Sequence, residues 1–284
     1  MKLTALFGMA TLSVIALARA DEPAKATAHE HGENASCCEA AATSTPVKAS
    51  YLEVKTAPAA NVTKGAVKGT ISYDGKAPKV EPLSIKADAA KGCTDEGAKV
   101  SDQNRSLLVG EKGGIANVVV TIKVKDAEVK LPEKPISIDQ LACRYEPHVM
   151  LIPAGATVEY LNSDKVSHNV HTYAGKNDSL NKTIAPGSKE TQKLAKADKI
   201  EVKCDIHPWM SAWMFVTDSP YTAVTGADGS FTIPDVPAGE YKVELWHEKL
   251  GKGKGTVKVN EDGTSEALDI KMGEKKKGGG RRRR

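Results

Sequence analysis

The sequence predicts an all-β protein in which a β-sandwich is followed by a smaller one, and three observations support this. Short runs alternate between apolar and polar residues, as in 199–204, where Ile200, Val202 and Cys204 share one face. Turn signals such as Asp74-Gly75 separate these runs at short intervals. No segment shows the periodicity of a long helix. Strands spaced in this way are typical of β-sandwiches.

Two domains are predicted. The larger covers residues 65–217, and its predicted strands are 65–73, 117–124, 149–152, 157–161, 199–204 and 213–217. The smaller module covers 218–272, with strands at 230–233 and 240–246 and a final hairpin of 255–259 with 266–272. Hydrophobic residues make up 40% of the chain, which is sufficient for small β cores although aromatic residues are only 5%.

Three further segments lie outside these domains. Residues 1–20 combine Lys2, an apolar stretch and a small-x-small end at 18–20, which predicts a secretory signal peptide. Residues 21–64 lack periodicity and are predicted to be a disordered linker. Residues 273–284 are predicted to be a basic disordered tail, with seven basic residues and one acidic residue from position 274 onward.

These end segments predict where the protein acts. A cleaved signal peptide places the mature chain in the periplasm or outside the cell, where disulfides form. Export argues against a nucleic-acid partner for the basic tail. The remaining alternatives for the tail are a solvated end and association with an anionic surface or membrane.

The segment 204–210 carries the strongest functional signal, because it holds a thiolate, an imidazole and a thioether within seven residues. Cys204, His207 and Met210 supply these groups. Copper that cycles between Cu(I) and Cu(II) is typically held by two histidines, one cysteine and a distant methionine. We therefore expect one copper ion here, with a second histidine from an earlier strand. Met214 is assigned to the following strand.

The second histidine is expected in the run 168–171. If this run is extended, His168 and Val170 face one way, and Asn169 and His171 face the other. An inward-facing valine marks the core side, so His168 is predicted to be the ligand and His171 a surface residue. Asn169 would face the ligand loop, where we expect it to hold the loop and hydrogen-bond near the cysteine sulfur.

The combination of Ser-His-Asn-Val-His at 167–171 with Cys-x-x-His-x-x-Met at 204–210 resembles the cupredoxins, the type 1 blue copper proteins. Within this plastocyanin-like family it is most similar to the amicyanins, and the strand at 153–162 resembles the family's Gly-x-x-Val-x-x-x-Asn pattern. The match covers about residues 150–217. The resemblance implies a Greek-key β-sandwich, outer-sphere electron transfer, and one copper ion held by His168, Cys204, His207 and Met210.

Residues 222–272 resemble a different family, the carboxypeptidase-regulatory-like β-sandwiches. The matching pattern is Gly-x-Phe-x-Ile followed by Val-Pro-Ala-Gly-x-Tyr within 229–241. This resemblance implies a structural or docking module without catalysis.

The chain has five cysteines, so four remain once Cys204 is assigned to the metal. Adjacent Cys37 and Cys38 bridge each other only with strain, and Cys93 and Cys143 are then predicted to form a disulfide. Two alternatives stay open: Cys93 and Cys143 are free, or one of them pairs with Cys37 or Cys38.

Three roles are compatible with one copper ion. The preferred role is electron transfer to a redox partner protein that docks on an apolar patch of Pro208, Trp209 and Trp213, although both tryptophans could instead be core residues. The second is copper storage or delivery, and the third is a structural or adhesive role with copper secondary. An N-terminal cluster would favour storage if it also bound copper; it consists of His29, His31, Cys37 and Cys38.

No enzymatic activity is predicted. A binuclear copper site would need a second cysteine in the ligand loop, and residues 205–213 contain none. His148 and His247 belong to no motif and are predicted to be structural or exposed.

Overall fold

The computed structural model describes residues 50–56, 62–96 and 98–274. The predicted signal peptide, the N-terminal histidines and cysteines, and residues 275–284 of the predicted tail lie outside the described residues. The described chain is almost entirely β, as predicted, with one 3-10 helix at Asp88–Ala90. The strands are β1 (Ser50–Tyr51), β2 (Val54–Thr56), β3 (Lys64–Tyr73), β4 (Val119–Ile122), β5 (Glu128–Val129), β6 (Ile136–Leu141), β7 (Arg144–Glu146), β8 (Val149–Pro153), β9 (Thr157–Asn162), β10 (His168–Tyr173), β11 (Asn181–Ile184), β12 (Lys189–Lys193), β13 (Asp198–Lys203), β14 (Ser211–Thr217), β15 (Thr222–Val224), β16 (Ser230–Pro237), β17 (Gly239–His247), β18 (Gly251–Val259) and β19 (Ile270–Met272).

The first sandwich is formed by a five-stranded and a four-stranded sheet. Their strand orders are β11-β10-β13-β14-β8 and β12-β9-β6-β7. Alternation along the strands explains the packing, since Ile200 and Val202 on β13 point inward and are buried, while Glu201 between them is not. Tyr160 and Val170, from opposite sheets, belong to the same buried core.

The second sandwich pairs the sheet β1-β15-β4-β17-β18 with the sheet β16-β3-β19. Val67 and Ile71 of β3 and Val243 and Leu245 of β17 contribute to its buried core. Both sandwiches therefore follow the alternation that the sequence shows. In the part of the chain that the structure describes, no helix has the length and apolar character needed to cross a bilayer.

The sequence predicts that one domain ends at residue 217 and the next begins at residue 218, but the observed strand connectivity differs from this division. Strand β3 lies in the segment assigned to the larger domain, but it pairs with β16 and β19 of the second sandwich. Strand β4 pairs with β15 and β17, so the chain of the first sandwich is inserted between the neighbouring strands β4 and β15. Alternation predicts which face of a strand is buried but does not identify the strand's partner, and this explains the difference.

Two smaller features also differ. Strands β1 and β2 lie within the predicted linker, where they pair with β15 and β5. The predicted final hairpin is not formed as such, because β18 pairs with β17 whereas β19 crosses to the other sheet and runs parallel to β3.

A third apolar cluster joins the two sandwiches, and we call it the seam. It contains Val119, Val149, Leu151 and Val224, with Leu52, Trp213, Phe215 and Trp246 packed against them. All four residues of β4 are buried because one face of that strand lies in the second core and the other faces the seam. The seam thus connects the two sandwiches through apolar contacts.

Candidate metal centre

Three of the four predicted ligands, His168, Cys204 and His207, come together at one end of the first sandwich. His168 is the first residue of β10, and residues 204–210 form the loop between β13 and β14. Strand β13 pairs antiparallel with both β10 and β14, with His171 opposite Lys203 and Ser211 opposite Lys203. This register brings the start of β10 next to the loop that contains the other predicted ligands.

The donor atoms of three predicted ligands converge. His168 Nδ1 lies 3.0 Å from His207 Nδ1, and Cys204 Sγ lies 3.8 Å from the same nitrogen. One donor atom from each of the three residues lies within 4.8 Å of the others. The exposed fractions are 0% for His168, 2% for Cys204 and 5% for His207, so all three residues are buried and His207 is the most exposed of them.

This arrangement fits a single transition-metal ion. Nitrogen and sulfur donors that share one ion at about 2.0–2.3 Å lie about 3–4 Å apart. A thiolate with two imidazoles is the donor set that copper redox sites use. Met210 is buried in the same core, and its backbone N–H donates to the His207 carbonyl at 2.9 Å, so it closes the ligand loop.

The surroundings of Cys204 favour the thiolate. Burial alone raises the pKa of its thiol, but hydrogen bonds from His168 and from the backbone N–H groups of Asn169 and His207 outweigh burial. The Asn169 N–H lies 3.3 Å from the sulfur, and the His207 N–H lies 3.4 Å from it. The net result is a pKa below the ordinary value, as a metal-binding cysteine needs.

Asp164 orients His168, and this is the site residue that sequence reasoning missed. Its carboxylate accepts a hydrogen bond from His168 Nε2 at 2.7 Å. It also accepts from the backbone N–H groups of Ala142 and Cys143 at 2.6 and 2.8 Å. Because Nε2 is occupied in this way, Nδ1 is left for a metal. The sequence signal for this role was an aspartate four residues before the histidine. Aspartate is common in turns, so its presence there does not by itself indicate a contact with His168.

The two histidines differ in their electrostatics. Burial lowers the pKa of His168, but the hydrogen bond to Asp164 and the nearby Cys204 raise it above its ordinary value overall. Burial and the neighbouring His168 lower the pKa of His207. His207 is therefore the histidine more readily present as the neutral imidazole that binds metals.

Asn169 lies where the sequence places it. Its side-chain oxygen accepts from the backbone N–H of Asp205 at 3.2 Å, and its amide nitrogen donates to Asn181 at 2.7 Å. The residue therefore holds the start of the ligand loop against β10 and β11. The hydrogen bond to the cysteine sulfur comes from its backbone N–H.

His171 lies outside the donor cluster. Its ring contacts Asp205 at 3.1 Å and stacks on Tyr173 with ring centroids 4.3 Å apart. It therefore faces away from the group formed by His168, Cys204 and His207.

The predicted disulfide between Cys93 and Cys143 is present. Sulfur atoms of both cysteines lie within 4.8 Å of a ring nitrogen of His207. The Cys143 carbonyl also accepts a hydrogen bond from Trp209 Nε1 at 3.1 Å. The bridge thus joins the segment around Cys93 to the wall of the metal centre.

The three residues of the predicted docking patch do not form one surface in the structure. Pro208 is exposed and Trp209 is half-buried beside the metal centre. Trp213 instead lies in the seam, where its ring is 5.1 Å from that of Trp246. The side chain of Trp213 alternates to the sheet face that the second sandwich covers, which the sequence of the loop does not reveal.

Within the described residues, the other two histidines, His148 and His247, are both buried. His148 contacts Glu248 across the seam at 2.5 Å. His247 Nδ1 accepts from the backbone N–H groups of Lys249 and Leu250, so its ring caps the turn after β17.

Comparisons with known proteins give partial matches. A protein-family model described as polysaccharide lyase family 4, domain II, matches residues 205–267. This match covers the ligand loop and much of the second sandwich, and the carboxypeptidase-regulatory-like resemblance stays a prediction. No curated protein matches the chain.

Among solved structures, the chain is similar to copper-containing nitrite reductase from Thermus scotoductus SA-01, with 20% identity over 34% of this chain and a TM-score of 0.30. The chain covers 25% of that reductase's length. The purple cupredoxin from Nitrosopumilus maritimus has 22% identity over 29% of this chain and 99% of its own, with a TM-score of 0.26. A reduced amicyanin variant has 23% identity over 34% of this chain and 98% of its own, with a TM-score of 0.28.

Proposed function

We propose that this protein binds one copper ion through His168, Cys204, His207 and Met210 and acts in outer-sphere electron transfer. The observation that carries the proposal is the buried convergence of one donor atom from each of His168, Cys204 and His207. Copper bound by such a set supplies one-electron chemistry, since it cycles between Cu(I) and Cu(II).

The protein's part is to hold these donors in fixed positions. Asp164 fixes the ring of His168, and Asn169 ties the loop through Asp205. Two backbone N–H groups point at the Cys204 sulfur. A site whose ligands are held by hydrogen bonds of this kind needs little rearrangement when its charge changes by one.

An apolar surface beside His207 supports a weakly docking redox partner protein. Pro208 and Ile206 flank His207 on the ligand loop, and Ile206 is 46% exposed. Leu141 is 49% exposed and lies two residues before Cys143, whose carbonyl binds Trp209. Small apolar surfaces of this kind suit short-lived complexes.

The remaining parts of the proposal concern location and activity. We propose an extracytoplasmic location, periplasmic or secreted, which the N-terminal sequence and the Cys93–Cys143 disulfide support. We further propose that the protein is not an enzyme, and that the basic tail is the segment through which it associates with a surface or membrane.

The test is the visible spectrum of the mature protein after one equivalent of Cu(II). We expect an intense thiolate-to-copper band that bleaches on reduction. Cys204→Ser should abolish the band, whereas His171→Ala should leave it, because His171 lies outside the donor cluster. A band that persists in Cys204→Ser would remove Cys204 from the site.

Copper storage or delivery is the alternative that the same titration detects. That role predicts tight uptake of more than one Cu(I) ion by a protein that stays colourless. Tight binding of Zn²⁺ in preference to copper would instead indicate a structural site, because histidine and cysteine also bind zinc.

A further inference from the structure

Glu248 of the second sandwich reaches into the first. It lies in the turn after β17, and its Oε1 is 2.5 Å from His148 Nε2. Its other oxygen accepts from Trp213 Nε1 at 3.2 Å. The His148 and Glu248 side chains are only 4% and 12% exposed, so water competes little for these contacts.

His148 links Glu248 to the end of the ligand loop. Its Nδ1 lies 3.1 Å from the Ser211 carbonyl, and Ser211 directly follows Met210. The backbone carbonyl of His148 also accepts from the Trp213 N–H at 2.8 Å. The two ring nitrogens of His148 therefore face two oxygen atoms, one on the Ser211 backbone and one on the Glu248 carboxylate.

Glu248 is itself held in place by the seam. Trp246, two residues earlier, packs against Trp213 at 5.1 Å and Phe215 at 5.8 Å between ring centroids. Trp246 is also paired with Val119 of β4. The position of the carboxylate is therefore set by the second sandwich.

We propose that Glu248 is a positioning residue for the metal centre, through which the second sandwich fixes the Met210–Ser211 end of the ligand loop by way of His148. The effect on a bound metal rests on the proposed function, whereas the effect on the loop does not. An axial methionine tunes the reduction potential of a copper site, so a residue that fixes its peptide controls that potential.

The experiment compares the wild-type protein with Glu248→Gln and Asp218→Asn. An amide accepts at only one of its two atoms, so Glu248→Gln loses one of the two carboxylate contacts and the charge. Asp218→Asn is the matched control, because Asp218 pairs with Lys123 between the same two sandwiches but is well exposed.

The first readout is hydrogen exchange of the metal-free proteins. We expect Glu248→Gln to speed exchange of the backbone N–H groups of residues 210–213 about tenfold, as the loss of a hydrogen bond to a charged group does. Asp218→Asn should leave these rates at the wild-type value. His148→Gln, which reaches only one of the two acceptors, is a second variant that should reproduce the effect.

The second readout is the copper-loaded protein. Met210 would be held less firmly in Glu248→Gln, so the reduction potential should shift from the wild-type value and the relative intensities of the visible bands should change. A tenfold change in the ratio of Cu(II) to Cu(I) affinity corresponds to about 59 mV for one electron.

Equal exchange rates in Glu248→Gln and Asp218→Asn would overturn the proposal. Faster exchange with an unchanged spectrum and potential would also overturn it, since Glu248 would then be purely structural. If the wild-type protein develops no thiolate-to-copper band, the proposed function fails, and the exchange rates alone decide whether Glu248 holds the loop.

Discussion

The two sandwiches are built alike but differ in what their interiors contain. Each has a buried core of aliphatic strand residues, and each contains at least one buried histidine. In the first sandwich, His168 and His207 lie with Cys204 and point donor atoms at one another. In the second, His247 only caps a turn. A buried histidine therefore indicates function where its donor atoms converge with those of other residues, whereas at His247 the backbone N–H groups of Lys249 and Leu250 occupy Nδ1.

The disulfide gives the largest contrast, because it lies only in the first sandwich. Its two cysteines are 50 residues apart in sequence, and removing a bridge of this span costs about 4 kcal/mol of unfolding free energy. We expect Cys93→Ala/Cys143→Ala to show this loss in denaturant unfolding, with faster hydrogen exchange concentrated in the first sandwich. Cys204→Ala in the metal-free protein is the control. Equal loosening of both sandwiches would show that the seam makes them one cooperative unit.

His247 predicts a pH dependence for the second sandwich. Burial is the main cause that lowers the pKa of His247 to about 4, compared with about 6.5 when unfolded. Between these values the unfolded chain binds one more proton, so stability falls as the pH falls, by up to about 3 kcal/mol. Unfolding measured at pH 7 and pH 4.5 should show this slope, and His247→Asn should reduce it. An unchanged slope in His247→Asn would contradict the assignment.

His168 predicts a pH dependence of stability with the opposite sign for the first sandwich. Its pKa is raised overall, so in the metal-free protein its protonation stabilises the fold at low pH, and this contribution is lost as the pH rises through the raised pKa. Asp164→Asn should remove much of it. The same variant should weaken copper affinity about 10- to 100-fold, as the loss of an outer hydrogen bond to a ligand histidine does. Copper titration against a competing chelator measures this, and unchanged affinity would mean that Asp164 does not orient His168.

His171 should give the smallest effect. It lies three residues after His168 on the same strand but contacts Asp205 and Tyr173 instead of the donor cluster. We expect His171→Ala to change copper affinity by less than about threefold and stability by about 0–1 kcal/mol, as for a polar contact near the surface. A large loss of copper binding would extend the metal centre to this side of β10.

The sequence by itself determined the features that depend on local pattern. Alternation predicted the all-β fold and most strands, because burial on one face of a strand repeats every second residue. The spacing of Cys204, His207 and Met210 confines three candidate ligands to one short loop. Successive residues of a strand point to opposite faces, and this alternation along β10 favoured His168 over His171 as a ligand. The structure places His168 in the donor cluster.

Only the tertiary structure decided the features that depend on contacts between distant segments. The pairing of β3 with β16, the insertion between β4 and β15, and the place of Trp213 in the seam all join residues far apart in the chain. Asp164 acquires its role only when the turn after β9 places its carboxylate against His168 and the backbone at Cys143. Periodicity records which way a side chain points, whereas the identity of the group it meets depends on how strands from different parts of the sequence assemble.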